Sequence, residues 1–432
     1  MDFDAAQAYL YGLGNETIAM KLGLANTERL LDVLGRPQDA FRKVQIAGTN
    51  GKGSTAAFLE SICHAAGWRV GLNTSPHLVE VTERIRINGT DINRADFARS
   101  VEEVRAAAEQ LRAENIAPTF FEHLTALALV AFRRAGVDVA VLETGLGGRL
   151  DATTVAGAEI VGLTPIALDH TRILGDTLEA IAAEKAAIIR PGTVAFSATQ
   201  PVAAKAVIDA RGAACGVVPR YATDTAEILG ATADGRLRVT FTTPSGHYEN
   251  IALALRGRHQ ITNAALALEL AEAWHAQGLA IPHEAFREGL ATARHAGRLD
   301  WRAGTPAMLY DGAHNEAGAL ALRDYLKEFV QVPVTLVFGT MRDKNVARIA
   351  EILFPLADKI VLTQPSQPRA ATPAEIAAVA PHAVRENILQ EPEIVKALRL
   401  ARTVTSADGL ILLTGSLYLV GAALRLQASG AL

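Results

Sequence analysis

Residues 47–55 read AGTNGKGST: Gly48, Gly51 and Gly53 surround Lys52, and the hydroxyls of Ser54 and Thr55 follow. Glycines let backbone N–H groups curl around phosphate oxygens, a following helix adds partial positive charge, and Lys52 supplies a point charge. The spacing departs from G-x-x-x-x-G-K-[ST], because Gly53 separates Lys52 from its hydroxyl. Two further groups stand just past apolar runs: Glu143 follows VDVAVL, and His170 lies in LDHT beyond the next run. A hard cation such as Mg²⁺ takes oxygen ligands and keeps waters, so Glu143 beside a hydroxyl suits it, and His170 suits it less well.

Lys185 is the most informative single residue. Its segment carries an apolar stripe of Leu178, Ile181, Ala182 and Ile188, and Lys185 falls seven after Leu178, four after Ile181 and three before Ile188. On a helix this spacing puts it on the buried face. Asp176, with Glu179 three positions on, predicts a capping box where that helix starts. Burial strips an ammonium of hydration and favours the neutral amine, which can add CO₂ to give an anionic carbamate. The same spacing suits a lysine whose stem packs while its tip reaches water, and spacing alone favours that second reading.

Such groups need a scaffold. Short β-branched runs alternate with helical periodicity, the mark of parallel α/β structure. Strands are predicted over 44–47, 137–142, 160–164 and 194–197, and helices over 56–66, 94–113, 121–135 and 177–189. A second set of strands is predicted over 307–310, 334–338, 359–362 and 410–413, with a helix over 317–329. Ligands of open parallel sheets lie beyond the carboxyl ends of strands, where these runs are followed by polar or glycine-rich turns. The expected fold is α/β: an N-terminal parallel-sheet domain of P-loop type over 1–295, and a smaller C-terminal Rossmann-like α/β domain over 296–432. His295, Gly297 and Arg298 break the apolar periodicity at that boundary, and two domains invite a cleft.

Composition narrows the choice. A chain of 432 residues exceeds a single small module. Lys plus Arg total 42 against 46 Asp plus Glu, a net −4, so the balance forces no large basic surface for nucleic acid or an anionic membrane, though it leaves room for a local basic cleft. Hydrophobic residues at 50% and aromatics at 5% mean that Ala, Leu, Val and Ile must build the cores. Cys63 and Cys215 cannot make a disulfide framework or a four-ligand zinc site, and MDFDAAQAYL lacks a signal-peptide pattern. The expectation is a reduced, cytoplasmic protein. The apolar runs 124–132 and 410–424 are too short or too interrupted to span a bilayer.

Seven strings now combine: AGTNGKGST, TSPHLVEVTERIRING from Thr74, TFFEHLT from Thr119, ETGLGGRLDAT from Glu143, LDHTRILGDTLEAIAAEKAAIIRPG from Leu168, GRHQITNA from Gly257 and DGAHN from Asp311. In this order they resemble the folylpolyglutamate synthase family, a branch of the Mur ligases, over most of the chain. The resemblance implies ATP-dependent ligation of L-glutamate to dihydropteroate and to reduced folates by a monomer that uses ATP and Mg²⁺. By the same resemblance Gly51, Lys52, Gly53, Ser54 and Thr55 hold the ATP phosphates, while Asn263, Arg298 and Asp311 contact the nucleotide. Ser75, Glu143 and His170 would ligate Mg²⁺. Lys185 would be carbamylated, which reverses the preference drawn from spacing.

The resemblance assigns catalysis to Lys52, His170, Lys185, Asp311 and His314. Thr119, Phe120, Phe121 and Glu122, with Leu150, Asp151 and Ala152, look like the pterin region, and His314 and Ser416 like the glutamate side. Three positions depart from the family pattern: Thr144 for an apolar residue, Ala187 for glycine and Glu316 for proline. A monofunctional enzyme for one of the two substrates is the nearest alternative. A Mur ligase for a UDP-linked sugar is disfavoured, because 47 residues before Gly48 are too few for a nucleotide-sugar domain. A nucleotide-binding switch without ligation chemistry would give no reason for a lysine in an apolar stripe.

Overall fold

Parallel strands buried on both faces read as continuous aliphatic runs, and the first sheet is built from such runs. Its strands are β1 (Arg42–Ala47), β2 (Val70–Asn73), β3 (Ile85–Ile87), β4 (Thr90–Asp91), β5 (Val139–Glu143), β6 (Ile160–Leu163), β7 (Val194–Ser197) and β8 (Arg220–Tyr221). The computed structural model describes residues 1–14, 23–222 and 226–430. The eight strands lie in the order β4-β3-β2-β5-β1-β6-β7-β8. All neighbours from β2 to β8 run parallel, whereas β3 and β4 add an antiparallel margin.

Register levels the strand ends. Glu143 pairs with Ile46, Leu163 with Ala47 and Leu142 with Asn73. The turns leaving β1, β2, β5 and β6 therefore start from one edge, the carboxyl edge where parallel sheets present ligand sites. The side chains of Val44, Ile46, Val139, Val141, Ile160 and Val161 are fully buried.

A three-stranded sheet of order β11-β10-β9 follows, from β9 (Ala226–Ala231), β10 (Leu237–Thr242) and β11 (His247–Ala252). A six-stranded sheet closes the chain: β12 (Asp300–Arg302), β13 (Ala307–Tyr310), β14 (Val334–Phe338), β15 (Lys359–Leu362), β16 (Ile388–Gln390) and β17 (Leu410–Thr414), in the order β12-β13-β17-β14-β15-β16. Only β12 is antiparallel to its neighbour.

By packing the chain divides into two compact units. One comprises Met1–Glu227, Thr240–Ile251 and Ile261–Ala293, the other Ile228–Val239, Ala252–Gln260 and Arg294–Leu432. Two excursions from the first stretch thus belong to the second unit, so the division follows contacts and not one cut in the sequence. No helix among the described residues is long and apolar enough to cross a membrane.

Several boundaries differ from the sequence reading. The helix after the glycine-rich turn starts at Lys52, four residues early, so Lys52 to Thr55 form its first turn. The TFFE helix starts at Phe120, capped by Thr119. The Lys185 helix is Leu178–Ala186, and Thr177, not Asp176, caps it by accepting the Ala180 N–H at 3.2 Å. A hydroxyl one residue nearer the helix reaches that amide with ordinary cap geometry. β2, β3, β4 and the three-stranded sheet have no counterpart in the sequence reading.

Candidate active site

Gly48 and Gly51 have φ of 145° and 90°, conformations that cost other residues energy. A Cβ on Gly48 would overlap the Thr164 side chain, and one on Gly51 would overlap the Asn263 amide. The turn after β1 is therefore wedged between the exit of β6 and the helix His259–Ala276. Asn263, assigned to the nucleotide by resemblance, is buried against this turn.

Two amines converge on one carbonyl. Lys185 Nζ donates to Gly48 O at 2.7 Å, and Lys52 Nζ donates to Gly48 O at 3.3 Å and to Thr49 O at 3.2 Å. Lys185 is 5% exposed, so its stripe does place it inside the protein. Burial, reinforced by the neighbouring Lys52 charge, pulls its ammonium down to about 7. Asp169, passed over in the sequence reading although it directly precedes His170, is among the charges that oppose this shift.

Glu143 is buried at the end of β5, and its Oε2 accepts the Ser75 N–H at 3.1 Å across the gap from the exit of β2. That pairing unites two of the three residues expected to hold metal. His170 stands in the turn beyond β6 with φ 51°, Nε2 4.0 Å from Asp169 Oδ2. Among the described residues, no group of three or more His, Cys, Asp or Glu could hold a metal ion by itself. A cation here must draw on hydroxyl oxygens, phosphate and water, which is the habit of Mg²⁺. Thr55 Oγ1 fits that demand, being buried in the first turn of the helix with no hydrogen-bond partner. An orphaned buried hydroxyl is costly unless something else satisfies it.

The expected pterin residues divide into two groups. Thr119 and Glu122 form a capping box: Glu122 Oε2 accepts the Thr119 N–H at 2.6 Å, and its Oε1 accepts the Thr27 hydroxyl at 3.1 Å. Asp151 accepts the N–H groups of Gly145 and Leu146, both at 2.9 Å, and the N–H and hydroxyl of Thr153 at 3.0 and 2.5 Å. Burial raises its carboxyl, while these donors work in the opposite direction. These polar atoms brace the protein's own turns. Phe120 is buried and stacks with Tyr11 at 6.1 Å, whereas the half-buried Phe121 ring lies against Gly145, where a Cβ would come within 2.5 Å of Cζ. Leu150 is half-buried and Ala152 buried beside them in sequence.

At the edge of the six-stranded sheet, Asp311 leaves β13 with its N–H on Leu413 O at 3.0 Å. Its carboxylate accepts the N–H groups of Leu299 and Ala313, both at 2.9 Å. Burial raises this carboxyl, and Arg298 opposes the shift. Gly312 leaves no room for a Cβ beside Arg298 and Leu417, so Arg298 is held against the turn. His314 Nδ1 bonds Gly312 O at 2.8 Å, and Ser416 Oγ accepts the Tyr418 N–H at 3.2 Å as a helix cap.

Comparison with known proteins bears on these edges. Residues 46–271 match the Mur ligase middle domain and residues 297–417 the Mur ligase, glutamate ligase domain. The dihydrofolate synthase/folylpolyglutamate synthase of Bacillus subtilis is 32% identical over 433 residues, covering 97% of each chain. A probable bifunctional folylpolyglutamate synthase/dihydropteroate synthase of Halobacterium salinarum is 38% identical over 430 residues. That alignment covers 98% of this chain but 51% of the relative, so the chain spans about half the length of that protein.

Among solved structures, Mycobacterium tuberculosis folylpolyglutamate synthase complexed with ADP superposes with a TM-score of 0.91 at 32% identity, covering 98% of this chain and 99% of that one. E. coli FolC in complex with DHPP and ADP gives 0.87 at 31% identity, covering 100% and 99%. With both domain models matched in order and the B. subtilis relative aligned nearly end to end, the chain belongs to the folylpolyglutamate synthase branch of the Mur ligases.

Proposed function

We propose that this chain is a bifunctional dihydrofolate synthase and folylpolyglutamate synthase, joining L-glutamate to dihydropteroate and to reduced folates with conversion of ATP to ADP. The observation that carries the reading is the phosphate-type turn at the carboxyl edge: Lys52 to Thr55 open a helix, and two lysine amines meet at Gly48 O. A free carboxylate is a poor electrophile. Transfer of the γ-phosphoryl group to it gives an acyl phosphate, which the glutamate amine attacks with loss of phosphate. Phosphoryl transfer needs alignment and charge stabilisation more than covalent help.

In this reading Gly51 to Thr55 cradle the phosphates, and Lys52 rotates from its long carbonyl contacts to the phosphate oxygens. Asn263, Arg298 and Asp311 hold the nucleotide. Ser75, Glu143 and His170 hold Mg²⁺, which supplies Lewis-acid charge neutralisation when bound. Lys185, whose burial shifts it toward the neutral amine, adds CO₂ through Nζ with release of a proton, and the carbamate provides a fixed anion at the edge. Phe121 and the turn 145–152 shape the pterin side, with Thr119, Glu122 and Asp151 holding that shape. His314 serves the glutamate side from residues 296–432, where Ser416 holds the shape of its turn as a helix cap. Both cysteines are free thiols, as suits a reducing cytoplasm.

Purified protein supplied with ATP, Mg²⁺, dihydropteroate and glutamate should release ADP only when both acceptors are present. A parallel assay with a tetrahydrofolate monoglutamate tests the second activity. ADP release that ignores both acceptors defeats the ligase reading.

A further inference from the structure

Between β6 and the His170 turn, residues 164–167 have no regular secondary structure, yet their backbone is tied down from two sides. From the phosphate-type turn, the N–H groups of Thr49 and Asn50 donate to Pro165 O at 3.1 and 3.3 Å. The Thr49 hydroxyl donates to Ala167 O and accepts the Ala167 N–H, both at 3.1 Å. On the opposite side stands Gln200, just past β7. Its Oε1 accepts the Ile166 N–H at 2.9 Å, and its Nε2 donates to Thr164 O at 3.0 Å and to Ser197 Oγ at 3.1 Å.

Partly buried backbone groups need partners, and where no ladder supplies them a side chain must. Without the Gln200 amide, the Ile166 N–H and Thr164 O lose the partners that face away from Thr49. The segment would then be held from one side only. It leads directly to Asp169 and His170, two and three residues beyond the last of these bonds.

We propose that Gln200 is a positioning residue of the active edge: by gripping 164–166 against Thr49 it sets the placement of His170 relative to the turn that carries Lys52 to Thr55. This rests on the reading that His170 is a metal ligand. Gln200 lies outside every string that carries the family resemblance, and its role follows from these bonds alone.

The test compares the full-length wild type with Gln200→Leu, which removes all three bonds at similar size, and Gln200→Glu, which keeps the acceptor and loses the donor. Amide exchange of a peptide covering 164–170 should quicken by about tenfold or more in Gln200→Leu, because local opening frees amides whose bonds are lost. Mn²⁺ titrated in the presence of ADP, followed by electron paramagnetic resonance, should half-saturate at about tenfold higher concentration in Gln200→Leu, the lower end of the usual effect of losing a residue that orients a ligand, with Gln200→Glu in between. A Gln200→Leu protein that melts at a lower temperature but binds Mn²⁺ within about twofold of wild type has lost only a structural bond, and overturns the proposal. His170→Ala, titrated alongside, separates the two layers. If it too leaves Mn²⁺ binding unchanged, the metal reading of His170 fails; if it weakens binding while Gln200→Leu does not, only the positioning role falls.

Discussion

The two sheet edges present similar polar turns but use their side chains differently. At the edge of the eight-stranded sheet, Lys52 is held by carbonyl contacts of 3.2 and 3.3 Å, Lys185 is poised near neutrality, and the Thr55 hydroxyl has no partner. At the edge of the six-stranded sheet, Asp311 accepts two backbone N–H groups at 2.9 Å, and Ser416 caps a helix. A weakly engaged Lys52 and an orphan hydroxyl are what a site for a charged guest needs, since strong internal bonds would have to be broken first. The second edge spends its polar atoms on its own turns. The contrast teaches that the first edge should carry the chemistry and the second should mainly hold shape.

Substitutions can break this contrast. The largest loss should come from Lys52→Ala and Glu143→Ala, each lowering ADP release by about 10²–10³-fold, the usual scale for removing a charge-stabilising group. Glu143→Ala with an unchanged Mg²⁺ requirement would strike it from the ligand set.

Lys185→Ala should cost about 10²-fold in glutamate ligation at saturating ATP, on the scale of removing a fixed charge from the site. Wild-type rates in that variant would end the carbamate role. The same residue makes a pH prediction. An ordinary lysine titrates near 10.5 and Lys185 is pulled down to about 7 in this fold, so between those values the unfolded chain holds the extra proton and stability rises with pH. The cost of burying the ammonium is greatest below about pH 7 and fades toward pH 10. In CO₂-free buffer Lys185→Met should melt above wild type at pH 7, with the gap narrowing as pH rises. A gap that stays constant would mean that Lys185 does not titrate as described.

Asp311→Ala should destabilise the second unit by about 1–3 kcal/mol, because two backbone donors lose their acceptor. Equilibrium denaturation would measure it. Smallest of all is Ser416→Ala, a lost helix cap worth about 0.5–2 kcal/mol. Its ligation rate should stay within about threefold of wild type, as expected of a group that holds shape. A drop of a hundredfold without unfolding would place Ser416 in the chemistry and erase the contrast.

The sequence made the phosphate-type turn, both sets of long strands and the burial of Lys185 legible, because glycine, β-branched runs and helical spacing act locally. Short pieces escaped it: β2 is four residues of VGLN, too brief for a periodic signal, yet it delivers Ser75 to Glu143. Bracing roles also escaped it. Glu122 and Asp151 look like ligand groups in a string, but their partners include Thr27, 95 residues away, and the Gly145 and Leu146 amides. Tertiary structure alone brings Thr27 to Glu122, and only the folded turn 145–151 aims the Gly145 and Leu146 amides at Asp151. Gln200 gave no local signal at all, since its two backbone partners lie 34 and 36 residues earlier.

The level ends of β1, β5 and β6 predict where the chain tolerates changes of length. Deleting one residue inside any of these strands would turn every later side chain to the opposite face and draw its polar turn back by about 3.3 Å. In β5 such a deletion would stop Glu143 from meeting Ser75, however well the mutant folded. Insertions at the amino ends of the same strands move no such turn, so a deletion and insertion scan should find the sheet permissive at one end and unforgiving at the other.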